Sequence, residues 1–429
     1  MATLRKEFGK IFVMFLFHKA YLVTLEPTIV RRVLSDTKAF VKGVDYSEQF
    51  SLVFGDGLVT SRNDKHKADR AIFGKYFIRG NIAKYMPSVC EISNEAIDQL
   101  IDGEMGSAKS LTLDIEFFFA RLALREFMNF AAGTTYRNDL PREKEICKIV
   151  SDGSCAMGNI IMFSIPQYDF MPYVKTARSV RTELWKDFEP IVEERRKLMQ
   201  SGQAYPDDCI TAMIEANMSE IDIIDHTVTM ISAGHDTTAY FSAYVCLLLA
   251  EHQDVQEKLR NEIFEQLGDR IDISADEITG LKYLHQVLQE CLRLYAIIPC
   301  VTRYATTDVT IKDAGVDGAD VTIPKGTDVM IPMYLLNRDP SIWTNPSKFD
   351  PDRFEGKGDY TNARAGFFPF GYGSRTCIGN TLAQLEASVF MCHLLRRFRF
   401  RPEPGFKINI NAGISLTTSN GVRVVLERV

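Results

Sequence analysis

The stretch FFPFGYGSRTCIGN, residues 367–380, gathers the groups of this sequence best suited to chemistry. Cys377 stands there among Gly371, Gly373 and Gly379, with Arg375 shortly before it and Phe370 at the start of the loop. A thiolate is a strong metal ligand, and a bare one needs N–H groups aimed at it and shelter from solvent. Glycines accept unusual φ values and let the backbone come close. The run IGNTLAQLEASVFMCHLL that follows reads as an amphipathic helix whose N-terminal dipole favours an anionic sulfur. Arg375 can pair with a carboxylate, and Phe370 can cover the sulfur side. A Gly-Cys pair alone reads as readily as a turn with a buried thiol. The full spacing Phe-x-x-Gly-x-Arg-x-Cys-x-Gly, met by Phe370, Gly373, Arg375, Cys377 and Gly379, is far more specific.

Four further pieces carry chemistry or charge. AGHDTT, Ala233 to Thr238, interrupts a long apolar helical run. Gly234 costs about 1 kcal/mol there against alanine, and Asp236 and Thr237 compete with the helix for backbone bonds. ECLR, Glu290 to Arg293, puts a carboxylate and a guanidinium on one helix face. FDPDRF, Phe349 to Phe354, lies in a stretch with little periodicity, and HKADR, His66 to Arg70, lies near the start.

In this order the motifs make the chain resemble the cytochrome P-450 family from about Phe8 to its end. The resemblance implies haem b (iron protoporphyrin IX) with Cys377 as axial thiolate and metal ligand. It implies that Ala233 and Gly234 face the haem where the long helix opens, that Thr237 hydrogen-bonds dioxygen and that Asp236 relays protons. Arg375, His66, Arg70 and Arg303 are expected on the haem carboxylates, with Phe370 and Gly379 completing the cysteine loop. Many family members carry tryptophan where His66 stands. His235 is expected to point away from the iron. Glu290, Arg293 and Arg353 are expected as a buried structural network. The cavity is expected along the loop before His66 and along Met230 to Thr238, Ala296 to Val301 and Ile414 to Thr417, with a lipophilic substrate.

The elements that must position these groups follow from periodicity. IFVMFLF (11–17) and AYLVTL (20–25) read as paired strands, and Pro27 as a first helical residue. Helices are expected at about 63–78, 83–102, 113–131, 142–152, 174–201 and 207–216, and then from Ser219, in a capping box with Asp222, to Ala250. Val255, Leu259, Ile263 and Leu267 mark the next helix, ended by Gly268, and Leu281 to Tyr295 another. After Pro299 short strands are expected, then an irregular loop over 341–366 and strands in the last thirty residues. The fold class is mainly α with small β-sheets, an α+β body read as one domain over 1–429. Its β-rich part covers about 8–26 and 300–340 with the C-terminal strands, and its helical bulk about 63–300 and 378–397.

Composition bounds the function. The 429 residues are 46% hydrophobic, as in an ordinary globular protein, and the net charge of −6 argues against nucleic-acid binding. Nine scattered cysteines without a CxxC read as reduced thiols. No run approaches the roughly 20 apolar residues of a membrane span. Family members of this type carry an N-terminal membrane helix and a Pro-rich hinge, which this sequence does not show. Residence on the cytosolic face of the endoplasmic reticulum is therefore implied by the resemblance alone, with the cytoplasm as the alternative. Residues 158–173 sit where the family has its mobile lid and either rest peripherally on a membrane or pack inward. No flavin or iron–sulfur domain is appended, so electrons are expected from a separate reductase. Arg396, Arg397, Arg399 and Arg401 either help it dock or solvate a surface, the second being favoured. The expectation is a monomeric haem-thiolate monooxygenase acting with O2. The alternatives are a peroxide-using or rearranging enzyme on the same fold and a haem-binding sensor without turnover.

Overall fold

The structure is a computed structural model, and it describes residues 2–16, 18–43, 46–134, 140–163, 170–356 and 366–429. After helix α1 (Ala2–Phe8), strands β1 (Ile11–Leu16) and β2 (Lys19–Thr24) form an antiparallel pair with Val13 opposite Leu22. Pro27 opens α2 (Pro27–Ser35), which buries Ile29, Val30, Val33 and Leu34. β3 (Phe40–Lys42), α3 (Ser51–Phe54), α4 (Asn63–Gly74) and α5 (Arg79–Leu100) follow.

The helix expected from residue 113 begins instead as a strand. β4 (Ser110–Asp114) pairs with a C-terminal strand, and Asp114 ends it by accepting the Glu116 N–H, which starts α6 (Ile115–Ala132). A strand this short carries too few alternations to show in the sequence. α7 (Leu140–Phe163) is longer than expected, and α8 (Pro172–Ser201) and α9 (Cys209–Glu215) lie close to their expected limits.

α10 (Glu220–Glu251) is the axis of the molecule, buried on nearly all sides and packed along α6. Only half of the expected capping box forms at its start. The Ser219 hydroxyl accepts the Asp222 N–H, but the Asp222 carboxylate returns to that hydroxyl and not to the Ser219 backbone. A complete box stands elsewhere, at Ser274 and Glu277. α11 (Gln253–Leu267), α12 (Ala275–Gly280) and α13 (Lys282–Leu294) come next, α13 burying the apolar stripe that includes Leu284, Leu288, Cys291 and Leu292.

Beyond Pro299 lie β5 (Val301–Ala305), β6 (Val309–Ile311), β7 (Val321–Ile323), β8 (Asp328–Ile331) and α14 (Met333–Leu336). α15 (Asn380–Arg397) leads into β9 (Phe398–Pro402), β10 (Ile410–Ala412), β11 (Leu416–Thr418) and β12 (Arg423–Arg428). The larger sheet runs β1-β2-β8-β5-β3 and a smaller one β4-β12-β9, while β6-β7 and β10-β11 are two-stranded. In the larger sheet Lys42 of β3 stands opposite Arg303 of β5. One apolar core surrounds α10, and a second lies between the larger sheet and α2. Among the described residues no helix is long and apolar enough to cross a membrane.

Candidate active site

The cysteine loop is held in shape by its own backbone. The Cys377 N–H donates to the Phe370 carbonyl at 2.8 Å, and the Thr376 N–H to Gly373 at 3.1 Å. Gly371 and Gly373 take φ values of +79° and +74°, which L side chains rarely adopt. Gly373 is needed twice over, because a Cβ there would come within 3.0 Å of the Leu34 carbonyl oxygen and the Ser35 Cα of α2. Burial raises the Cys377 pKa, while the Gly379 N–H and the charge of Arg70 draw it down. By surface area Cys377 is nonetheless exposed. The two facts agree when that surface faces a hollow inside the protein rather than bulk water, and we read it so. α15 starts three residues later, with its positive end at the loop.

Around this hollow stand cations that pair with no carboxylate among the described residues. Arg375 is pushed down to about 10 by burial and by Arg303, Arg70 and Arg62, and its buried Nη1 has no hydrogen-bond partner. Arg303, 4% exposed, is lowered by burial. His66 on α4 is pushed to about 3 by burial and by Arg375, Arg70 and Lys42, so it is neutral and keeps one ring N–H to donate. Arg70, one turn along α4, is lowered by burial and raised by Cys377. The nearby Asp69 is already engaged by Lys65 at 3.0 Å and His226 at 3.3 Å.

Lys42 belongs to the same cluster and escaped the sequence reading. Burial, Arg303 and Arg375 hold its pKa well below the ordinary lysine value, and its Nζ lies over the Tyr46 ring at 4.0 Å. Its signal is the register of β3 on β5, which no local pattern reveals. Like charges buried together this closely are costly unless an anion joins them. A large dianionic ring with a soft metal at its centre, set between these cations and Cys377, fits the donor set. Iron protoporphyrin IX is such a group, and Arg375, Arg303, His66, Arg70 and Lys42 are the side chains that would hold its carboxylates.

Above the cysteine loop in sequence logic stands α10. The helix was expected to open at Ala233–Thr238, but it runs through without interruption. The local feature is smaller: the Thr237 hydroxyl donates to the Ala233 carbonyl at 2.7 Å, a back-bond one turn away. Ala233, Gly234 and Thr237 are partly exposed, while His235 and Asp236 are buried. Gly234 serves packing, since a Cβ there would meet the Phe127 ring of α6 at 2.4 Å. His235 turns to the Ala120 carbonyl of α6, and burial lowers it to about 4. Asp236 turns to Ser154 of α7 and to Ser415.

Glu290 and Arg293 form a bidentate pair at 2.6 and 2.7 Å, both fully buried. Arg353 adds 3.0 Å to Glu290, and the Asp350 N–H another 2.8 Å. The expected cavity stretches 296–301 and 414–417 adjoin, the Leu416 N–H donating to the Ile297 carbonyl at 2.7 Å. Residues 164–169 of the expected lid and 357–365 of the irregular loop lie outside the described residues. Each of the four arginines after Cys377 is already engaged: Arg396 by the Arg270 carbonyl, Arg397 by Asp98 at 2.6 Å, Arg399 by Glu257 at 3.0 Å and Arg401 by Glu427 at 2.9 Å.

Three comparisons bear on this geometry. A family model described as Cytochrome P450 matches residues 1–422. Echinocystic acid 23-monooxygenase of Saponaria officinalis is 27% identical over 424 residues, covering 94% of this chain and 79% of that protein. Cytochrome P450 3A13 of Mus musculus is 26% identical over 92% of this chain and 80% of its own length. A solved retinoic acid-bound cyanobacterial CYP120A1 covers all of this chain and 94% of its own with a TM-score of 0.83 at 23% identity, a likeness of fold.

Proposed function

The chain belongs to the cytochrome P450 family and is a P450 monooxygenase, and from that premise we propose what its own residues do. Haem ligated by a cysteine thiolate follows from the family, and such ligation pushes electron density towards cleavage of the O–O bond. Cys377 supplies the thiolate, whose charge the Gly379 N–H, Arg70 and the start of α15 favour against the opposing effect of burial. Arg375, Arg303, His66, Arg70 and Lys42 clamp the haem carboxylates. Ala233, Gly234 and Phe370 border the ring. Thr237 hydrogen-bonds dioxygen, and Asp236 relays protons. The substrate is lipophilic and lies along Met230–Thr238, Ala296–Val301 and Ile414–Thr417. Electrons come from a separate reductase, at the endoplasmic reticulum membrane. Residues 1–429 act as a single domain and as a monomer.

The observation that supports this reading best is the group of buried and half-buried cations near Cys377, Lys42, Arg70, Arg303 and Arg375, none of which pairs with a carboxylate among the described residues. The test begins with haem-supplied protein, reduced and exposed to carbon monoxide. Thiolate ligation gives its characteristic absorption band, and C377S is expected to abolish it while leaving the protein folded. Turnover is then measured with a reductase and NADPH against lipids, sterols and terpenoids, echinocystic acid and retinoic acid among them. Product that needs NADPH supports a monooxygenase driven by a reductase. Product formed with peroxide alone overturns the electron source, and binding without product points to a sensor.

A further inference from the structure

Asp236 finds hydroxyls, not a cation, at its side chain. Ser415 Oγ donates to its Oδ2 at 3.2 Å and Ser154 Oγ at 3.4 Å. Burial raises it to about 6, and the two hydroxyls draw it back. Ser415 lies in the turn that joins β10 to β11, and the same hairpin supplies Thr418, whose hydroxyl donates to Glu116 Oε2 at 3.1 Å. Glu116, in the first turn of α6, also lies near the Tyr240 hydroxyl, which draws its pKa down. Tyr240 is 4% exposed and stands one helical turn beyond Asp236 on the same face of α10. One acid is buried on α10 and the other half-buried at the start of α6, and the same hairpin brings a hydroxyl to each.

We propose that Glu116 is a positioning residue for proton supply, taking protons from solvent and refilling Asp236 through the hydroxyls of Tyr240, Thr418 and Ser415 with water completing the path. The inference rests on the monooxygenase reading above. One oxygenation consumes one O2, two electrons from NADPH through the reductase, and two protons. One oxygen atom enters a C–H bond of the substrate and the other leaves as water. Each proton that Asp236 gives up is replaced from Glu116, which regains one from solvent, so both acids end a turnover as they began. The groups facing Glu116 are Asp114 at its own helix cap, Asp236, Tyr240 and Tyr244 on α10, Thr418 on β11 and Cys155 on α7. Burial, then Asp114 and Asp236, raise Glu116 to about 7 against the pull of Tyr240 and Thr418. Its charge therefore changes near neutrality.

The test uses holoenzyme with its reductase and compares wild type, E116Q, E116D and Y240F. Product and hydrogen peroxide are measured per NADPH from about pH 6 to about pH 8, the range that brackets an acid poised near neutrality. E116Q and Y240F are expected to divert NADPH into peroxide. Product per NADPH should fall roughly 3- to 10-fold, less than the ~100-fold that losing a directly acting acid costs. The pH profile of that ratio should flatten in both, and E116D should restore it. Wild-type ratios at every pH in both E116Q and Y240F overturn the proposal. If E116Q loses haem, Y240F decides, since it keeps the Glu116 charge. If wild type gives no carbon monoxide band or no NADPH-dependent product, the monooxygenase reading itself has failed. An infrared titration of the carboxyl bands then judges the linkage without turnover. A fall in the Glu116 midpoint in D236N supports it, and an unchanged midpoint sinks it.

Discussion

Two charged clusters in this protein are built on opposite terms. In the first, Glu290 meets Arg293 and Arg353, and the spare guanidinium N–H groups of Arg293 go to the carbonyls of Asn337, Pro346 and Lys348 at 2.7 to 3.0 Å. Charge and hydrogen bonds close within the chain. In the second, Lys42, Arg303 and Arg375 press on one another, His66 is held neutral, and Arg375 Nη1 is left unpartnered. The first cluster is architecture, because nothing further is needed to satisfy it. The second is a binding site, because its complement must come from outside the chain. Sequence spacing alone cannot make that distinction, since both clusters read simply as arginines near other polar residues.

The sharpest way to break the contrast is to cut the closed cluster. E290A leaves two guanidinium groups buried without their anion, and R293A leaves a buried carboxylate. Removing one partner of such a pair costs roughly 3–5 kcal/mol. Both variants are expected to yield protein without haem and with a lowered denaturant midpoint, because Glu290 also holds the Asp350 N–H and so the loop that follows. Normal haem content in either variant would show the network to be dispensable.

Cutting the open cluster has the opposite sign. K42M removes one of several crowded cations, so the haem-free protein should gain stability, by at most about 4 kcal/mol, the scale of a like-charge contact at ~4 Å and an effective dielectric of ~20. The same variant should lose haem faster to a scavenger apoprotein, since one carboxylate partner is gone. Denaturant midpoints of the haem-free form and haem-loss rates of the loaded form check the two halves. A variant less stable without haem would mean that Lys42 is structural.

How much of this was legible beforehand follows the same division. The cysteine loop, the Glu290–Arg293–Arg353 network and the long helix all rest on local spacing, and their residues lie where periodicity and motif put them. What stayed hidden depends on long-range register. Lys42 meets Arg303 only because β3 pairs with β5, and Asp236 meets Ser415 only because a hairpin far along the chain returns to α10. β3 and β4 were missed because three to five residues give no readable alternation. The expected opening of α10 did not appear because Thr237 satisfies its hydroxyl on a helix carbonyl without breaking the ladder.

A buried acid pair extends the comparison to the opposite charge. Glu126 of α6 and Glu386 of α15 repel one another, with Ser93 donating to Glu126 at 2.8 Å and the Thr238 hydroxyl near Glu386 drawing its pKa down. Burial and, for Glu126, its neighbour's charge raise both, Glu386 to about 8 against 4.5 for an ordinary glutamate. Between those values the folded chain holds a proton that the unfolded chain has released, so stability falls as pH rises through this window. E386Q cannot titrate and keeps an oxygen for Thr238. It should flatten the decline and exceed wild type above about pH 8 by at least ~1.4 kcal/mol, the worth of one pKa unit. Denaturant midpoints across pH check this, and a parallel decline in E386Q would show that the pair does not share the burden.

The smallest effect is expected at the surface. Arg399 and Arg401 each face a carboxylate of their own, at 3.0 and 2.9 Å, and both pairs are half exposed. Exposed pairs of this kind contribute about 0–1 kcal/mol. R399A and R401A should therefore barely move the denaturant midpoint, and with their charge already answered within the chain they should leave the reductase concentration at half-maximal rate within about twofold, which is ~0.4 kcal/mol. That outcome keeps these arginines with the closed cluster, as charges the chain satisfies for itself. A tenfold rise in the reductase required, with stability unchanged, would move them to the other class, as groups whose true partner lies on another protein.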